Sequence, residues 1–280
     1  MERQEVSRLI EQLYEECPGN TVTARDAIRP ELAGLKLFDR PLVAIGAADD
    51  ELFTKCKEAT VVGPWFMTPQ EWLGSASSVI SLFFPFTEEI RSSNRPQVSE
   101  PSAQWLHGRI EGQNFLLEFI RRLRLCFEQR GSEACAPMID ARFARSSGGD
   151  NFTEYACTNE NTFSSNWSER HVAYVCGLGT FGLSTSFITD RGKAGRFTSL
   201  IVSEALPRDS RSYHGVYERC TMCGACIRRC PAGAISREHG KDHRTCWKYV
   251  RKMGELFDPR FGCGLCQTNV PCECTDPSRP

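Results

Sequence analysis

Cys220, Cys223, Cys226 and Cys230, the last followed by Pro231, form a C-x2-C-x2-C-x3-C-P run that concentrates four thiols within eleven residues. Three thiolates on one tight loop can meet three irons of a single cubane, while the fourth starts a helix and points to a different cluster. Cys246, Cys263, Cys266 and Cys272 supply four more. Exchanging one ligand between the runs gives Cys220, Cys223, Cys226 and Cys272 as one set, and Cys230, Cys246, Cys263 and Cys266 as the other. Cys274 competes with Cys272 for the eighth place. C-x2-C pairs also build zinc knuckles, but a four-cysteine run closed by Cys-Pro is a cluster signature that zinc does not require. The chemistry expected is one-electron transfer through two 4Fe-4S clusters. The chain has 15 cysteines. Cys17, Cys56, Cys126, Cys135, Cys157 and Cys176 have no partner at metal spacing and are expected to be small buried hydrophobes.

The first cysteine run has the spacing of bacterial ferredoxins. Upstream lie Ser168-Glu169-Arg170-His171-Val172-Ala173-Tyr174 and Gly177-Leu178-Gly179-Thr180-Phe181-Gly182-Leu183. With Trp105-Leu106-His107-Gly108-Arg109, Phe261-Gly262-Cys263-Gly264-Leu265-Cys266-Gln267 and Val270-Pro271-Cys272-Glu273, the chain resembles the epoxyqueuosine reductase family, above all its shorter members, over about residues 40 to 275. Reductive dehalogenases are similar in arrangement. The resemblance implies a nitroreductase-like α/β domain that binds cobalamin, joined to a small ferredoxin-like module, with clusters feeding a corrinoid that reduces the substrate. Carried over residue by residue, it nominates Arg170, His171, Gly177, Gly179, Thr180, Phe181, Gly182 and Ser184 for cofactor binding. The glycines would permit close backbone approach to a flat cofactor, while Thr180 and Ser184 would donate to its amides. A glycine-rich turn after a helix is, on residues alone, also simply a turn.

Two departures bear on the substrate. The family carries an aspartate, regarded as a general acid, directly after a Gly-Arg pair; here Ile110 follows Gly108-Arg109 and the nearest carboxylate is Glu111. One residue's displacement turns a helical side chain by about 100 degrees, so Glu111 is a catalytic candidate displaced from the family's position. The sequence also stops at Pro280, where full-length relatives continue into a helical-repeat region that helps hold tRNA. A small molecule or a modified tRNA base is the expected substrate class, with a ferredoxin, flavodoxin or similar electron donor.

These groups need a scaffold. Val6, Leu9, Ile10, Leu13 and Tyr14 mark one face of a first helix, ended by Pro18-Gly19. Pro41 to Gly46 predicts a short buried strand, and Asp49-Asp50-Glu51 opens a brief helix through Lys57. Thr68-Pro69-Gln70-Glu71 is a capping box. Ser78 to Phe84 predicts a strand stopped by Pro85, and residues 102 to 129 a long helix weakened at Gly108 and Gly112 and ended by Gly131. Residues 145 to 168, rich in Ser, Gly, Asn and Thr, predict a long loop and a candidate lid. Ser168 to Cys176 predicts a helix with Gly177 at a left-handed C-cap, followed by a strand over 196–202.

Strands interleaved with helices predict an α/β (α+β) fold: a domain over 1–205 and a two-cluster domain over 206–280. Composition is 40% hydrophobic and 25% charged, with net charge −1 and pI near 6.5. That balance leaves no electrostatic footprint for DNA, and no apolar run reaches a membrane-spanning length. The start, Met1-Glu2-Arg3, has no signal-peptide character, so the cytoplasm is the expected location. The leading expectation is an iron–sulfur, cobalamin-dependent reductase. The rivals are a non-catalytic electron carrier serving a partner enzyme, and a flavin-dependent reductase.

Overall fold

The structure, a computed structural model, describes residues 1–147 and 163–279. Helix α1 (Arg3–Glu16) opens with a capping box between Glu2 and Glu5 and buries Val6, Ile10, Leu13 and Tyr14. Strand β1 (Leu42–Ala47) leads into α2 (Glu51–Lys55), whose first turn is capped by Asp50 accepting from the Leu52 amide. The Thr68–Glu71 capping box starts α3 (Pro69–Trp72), and β2 (Ser78–Pro85) is buried along its whole length. Helices α4 (Glu88–Asn94) and α5 (Ala103–Glu128) then return the chain to β3 (Ala134–Cys135).

Gly108 and Gly112 do not interrupt α5. A Cβ on Gly108 would stand 2.7 Å from the Phe86 ring and one on Gly112 2.8 Å from the Phe38 ring. The helix gives up propensity there so that the stacked Phe38 and Phe86 rings can lie against its backbone.

Strands β4 (Arg145–Ser147) and β5 (Phe163–Ser165) pair antiparallel, so the ends of the expected 145–168 loop are sheet; its middle, with Cys157 and the lid expectation, lies outside the described residues. Helix α6 (Glu169–Cys176) ends at Gly177 with φ 104°. The hairpin β6 (Gly179–Phe181) and β7 (Phe187–Thr189) precedes β8 (Gly195–Val202).

The main sheet has the order β1-β2-β8-β3 and is antiparallel throughout, with Ser78 opposite Val202 and Pro85 opposite Gly195. The alternation along β2 builds two cores. Ile80, Leu82 and Phe84 meet α1 and α5 on one face, while Val79 and Phe83 meet α6 and Trp167 on the other. Trp167 stacks on Phe53 and Phe66 and donates through Nε1 to the Ser199 hydroxyl at 2.9 Å. The architecture is mixed α/β, with helices on both faces of the sheet.

The rest of the chain is short elements: α7 (Ala225–Arg228), β9 (Ile235–Ser236), β10 (Gly240–Lys241) and α8 (His243–Phe257). They are fastened to the sheet layer. The amides of Lys193 and Ala194 donate to the Glu273 carbonyl, and the Glu273 carboxylate takes Arg95 at 2.7 Å and Arg91 at 3.6 Å. Arg229 donates to the carbonyls of Asn94, Gln97, Leu265 and Thr268, tying α7 to the end of α4. Among the described residues, no helix is long and apolar enough to cross a membrane.

Candidate functional site

Two left-handed residues, Met222 (φ 50°) and Gly224 (φ 72°), fold the first cysteine run back on itself. Cys220, Cys223, Cys226 and Cys272 thereby line one hollow, together with Lys193 and the apolar Leu183, Ile188 and Val270. Cys274 lies outside it, in a shallow depression with Arg95, Asn269 and Glu273. Cys272, rather than Cys274, is thus the cysteine brought to the first three. Cys226 and Cys272 are buried, and Cys223 is exposed at the rim.

Burial raises the Cys226 and Cys272 thiols, and the Lys193 ammonium pulls both back. Lys193 is 3% exposed. Burial alone lowers its pKa, but the charges of Cys272, Cys266 and Cys226 more than offset this and leave it raised. The sequence reading did not single out Lys193; its signal was a lone lysine between Gly192 and Ala194, with no spacing to any cysteine.

The second set gathers around α8. Asp242 caps that helix by accepting from the amides of Arg244 and Thr245, which puts Cys246 on its first turn. Gly264, at φ 69°, caps a short 3-10 turn (Leu265–Gln267) that carries Cys266, with Cys263 just before it. Burial pushes the Cys263 thiol up to about 12, and Cys266, Cys246 and Cys230 are its charged neighbours. Cys226 has Cys266 as a neighbour too, so the two sets adjoin. Backbone N–H groups already point at sulfur: Leu183 to Cys220 at 3.5 Å and Ala234 to Cys230 at 3.3 Å. Such donors stabilise thiolates and tune the potential of a bound cluster. Among the described residues no three His, Cys, Asp or Glu groups close on a point one ion would fill. One zinc draws its sulfurs to about 2.3 Å, whereas a cubane spreads the same four thiolates around a larger body.

The glycine motif works within the chain. A Cβ on Gly179 would stand 2.0 Å from the Ile188 carbonyl oxygen, and one on Gly182 3.1 Å from the Ile188 side chain, so both serve the β6–β7 hairpin. Thr180 Oγ1 accepts from the Arg219 amide, Ser184 Oγ from Lys193 Nζ, and Phe181 packs between His171, Tyr174 and Phe187. His171 Nδ1 is 2.7 Å from the Ser168 hydroxyl; burial first, then the Arg170 charge, lowers its pKa to about 4. It is a neutral imidazole near neutral pH. Arg170 Nη1 donates to the Thr185 carbonyl at 2.8 Å.

Glu111, the catalytic candidate, is held in an ion pair. Its carboxylate takes Arg260 Nη2 at 2.6 Å and His107 Nδ1 at 3.0 Å. Burial raises its pKa, but the bonds from His107 and Arg260 outweigh burial and hold it below the ordinary range. Glu111→Gln should destabilise the fold by about 2 kcal/mol at neutral pH, the scale of a lost hydrogen bond to a charged group. Because the folded pKa is depressed, the carboxylate's contribution is complete above the unfolded value of about 4.3 and is lost as pH falls through the folded one. Urea unfolding of both proteins from pH 7 downward should therefore show the gap closing in acid. A gap that is constant with pH would deny the ion pair.

Residues 215–236 match the family described as a 4Fe-4S binding domain. The resemblance noted in the sequence is found again by comparison. The epoxyqueuosine reductase of Salmonella typhimurium is 34% identical over 116 residues, which are 37% of this chain and 29% of that protein. The match thus spans less than a third of the relative's length. Among solved structures, an epoxyqueuosine reductase with an epoxyqueuosine-modified tRNA stem loop aligns with 96% of this chain and 66% of its own, at 16% identity and TM-score 0.52. A reductive dehalogenase, whose structure is described as suggesting a mechanism for B12-dependent dehalogenation, aligns with 75% and 27%, at 14% identity and TM-score 0.50. The structural likenesses establish a shared fold, and the relatives are oxidoreductases.

Proposed function

We propose that the chain is an iron–sulfur reductase in which Cys220, Cys223, Cys226 and Cys272 hold one 4Fe-4S cluster and Cys230, Cys246, Cys263 and Cys266 hold a second. The carrying observation is that two runs far apart in sequence exchange a cysteine each, with the sets meeting at Cys226 and Cys266. When bound, such clusters supply one-electron transfer between the protein surface and a substrate. Around them the chain provides an apolar sheath, the amides of Leu183 and Ala234, and the buried Lys193 charge. Cys223 and the neighbouring Met222 are exposed, so an electron donor of ferredoxin or flavodoxin type would approach the first cluster from this rim.

In this reading, residues 1–205 form the nitroreductase-like substrate domain and 206–280 the relay. Likeness to epoxyqueuosine reductases and reductive dehalogenases supports reduction of a carbon–oxygen or carbon–halogen bond. The residues nominated for a corrinoid do not fit that role: Gly179 and Gly182 abut Ile188, and Thr180, Ser184 and His171 bond within the chain. The reading stands on the cysteines.

Anaerobic purification with iron and sulfide determination tests it. About eight of each per chain is expected, with dithionite-reducible cluster signals in electron paramagnetic resonance. Zinc in place of iron would end the reading. Hydroxocobalamin titrated into the cluster-loaded protein is a separate arm, in which a shift to the base-off spectrum would show that residues other than those nominated grip a corrinoid.

A further inference from the structure

Lys193 reaches the first cysteine set from the sheet layer. It lies between β7 and β8, after a turn in which Thr189 pairs with Gly192 and donates through Oγ1 to the Gly192 carbonyl at 2.8 Å. The Lys193 amide donates to the Cys272 carbonyl at 3.0 Å, and the Ala194 amide to the Glu273 carbonyl at 3.0 Å. A Cβ on Gly192 would stand 2.4 Å from the Cys274 amide nitrogen, so the turn lies directly against the segment that carries Cys272. The point from which the Lys193 side chain departs is therefore fixed by backbone contacts on both sides.

The lysine lines the hollow with Cys220, Cys223, Cys226 and Cys272 and is 3% exposed. Its Nζ donates to the Ser184 hydroxyl at 3.4 Å. The remaining walls include the apolar Leu183, Ile188 and Val270. An ammonium in such a place loses its water, and a methionine would fill the space without that penalty. Fastening the turn does not account for the residue, because backbone amides do the fastening and any side chain would permit it. What a lysine adds at this position is a fixed positive charge beside sulfur.

That charge bears on electron entry. One electron passing from a ferredoxin- or flavodoxin-type donor to the first cluster oxidises the donor by one electron and adds one negative charge to the set, with no bond made or broken. A positive charge held nearby stabilises the reduced state more than the oxidised one, and the effect is large where protein rather than water surrounds both. It raises the reduction potential. A surface lysine would be screened by salt over about 10 Å, whereas a buried one keeps its effect.

We propose that Lys193 is a positioning residue for electron entry: its ammonium, buried against the first cysteine set, raises the potential at which the first cluster accepts an electron, so that a milder donor suffices. This deepens the reductase reading and rests on it.

The test is an anaerobic redox titration of the cluster-loaded parent, Lys193→Met, Lys193→Gln and Lys193→Arg, followed by electron paramagnetic resonance. Cys226→Ser, in which only the second set is intact, assigns the second cluster's signal. With about eight irons per chain retained, the neutral variants should show an equilibrium constant for reducing the first cluster lowered about tenfold or more, equal to about 59 mV for one electron. Lys193→Arg should stay within about threefold of the parent, and the difference should persist from low salt to about 0.5 M. Complete iron with an unmoved first-cluster potential would overturn the proposal. An equal fall in Lys193→Met and Lys193→Arg would overturn it as well, by assigning the effect to packing rather than charge, and so would a shift confined to the second cluster. Loss of the first cluster from both neutral variants would make Lys193 a residue of cluster assembly instead. A parent chain without iron would overturn the reductase reading and this one with it, whereas the other adverse results leave that reading standing.

Discussion

Cys226→Ser, purified anaerobically, should carry about four irons where the parent carries about eight, whereas Cys274→Ser should keep them all. Cys226 is the buried member of the first run, and its neighbours are Lys193, Cys266, Cys272 and Cys220. Removing it opens a set whose other sulfurs line the same hollow, and a serine hydroxyl is a poor substitute for a soft thiolate toward iron. Lys193 would then face fewer anions while 3% exposed, a charge buried without its partners. Half the iron should therefore be accompanied by lower stability and by loss of substrate reduction, because one station of the relay is missing. Cys274 is exposed and outside the hollow, so its replacement is the control. Equal iron in parent and Cys226→Ser, or halved iron in Cys274→Ser, would refute the ligand assignment.

Spacing reveals chemistry when the ligands are close in sequence, which is why the run from Cys220 to Cys230 was legible. Local signals were legible for the same reason: the Thr68–Glu71 capping box, Asp50 before α2, and Gly177 after α6 each act within one turn. The antiparallel pairing of β2 with β8 joins Ser78 to Val202 and leaves no local mark. The choice between Cys272 and Cys274 likewise depends on how residues 268–276 are pinned by Asn94, Arg95 and the 193–194 backbone. The glycine motif looked like a cofactor cradle because glycine marks close approach of any partner; in this fold the partner is Ile188.

Gly264→Ala should remove the second cluster, though it touches no cysteine side chain. Gly264 sits at φ 69° as the first turn residue of the loop between Cys263 and Cys266, and its carbonyl accepts from the Gln267 amide at 2.8 Å. A Cβ there would lie 1.9 Å from Cε2 of Trp105, a side chain 3% exposed and packed 4.9 Å from the Phe86 ring. The left-handed backbone costs a non-glycine residue about 1–2 kcal/mol, and forcing an atom into a packed site about 1–3 more. Trp105 cannot yield without disturbing the core against α5, so the loop is what lifts, and with it Cys263 and Cys266. The expected variant holds about four irons and unfolds at a lower temperature. Trp105→Leu on the same background separates the two costs, since it clears the clash and leaves the backbone strain. Partial recovery of iron in the double variant is therefore expected, and full iron in Gly264→Ala alone would mean that the loop is not seated on Trp105.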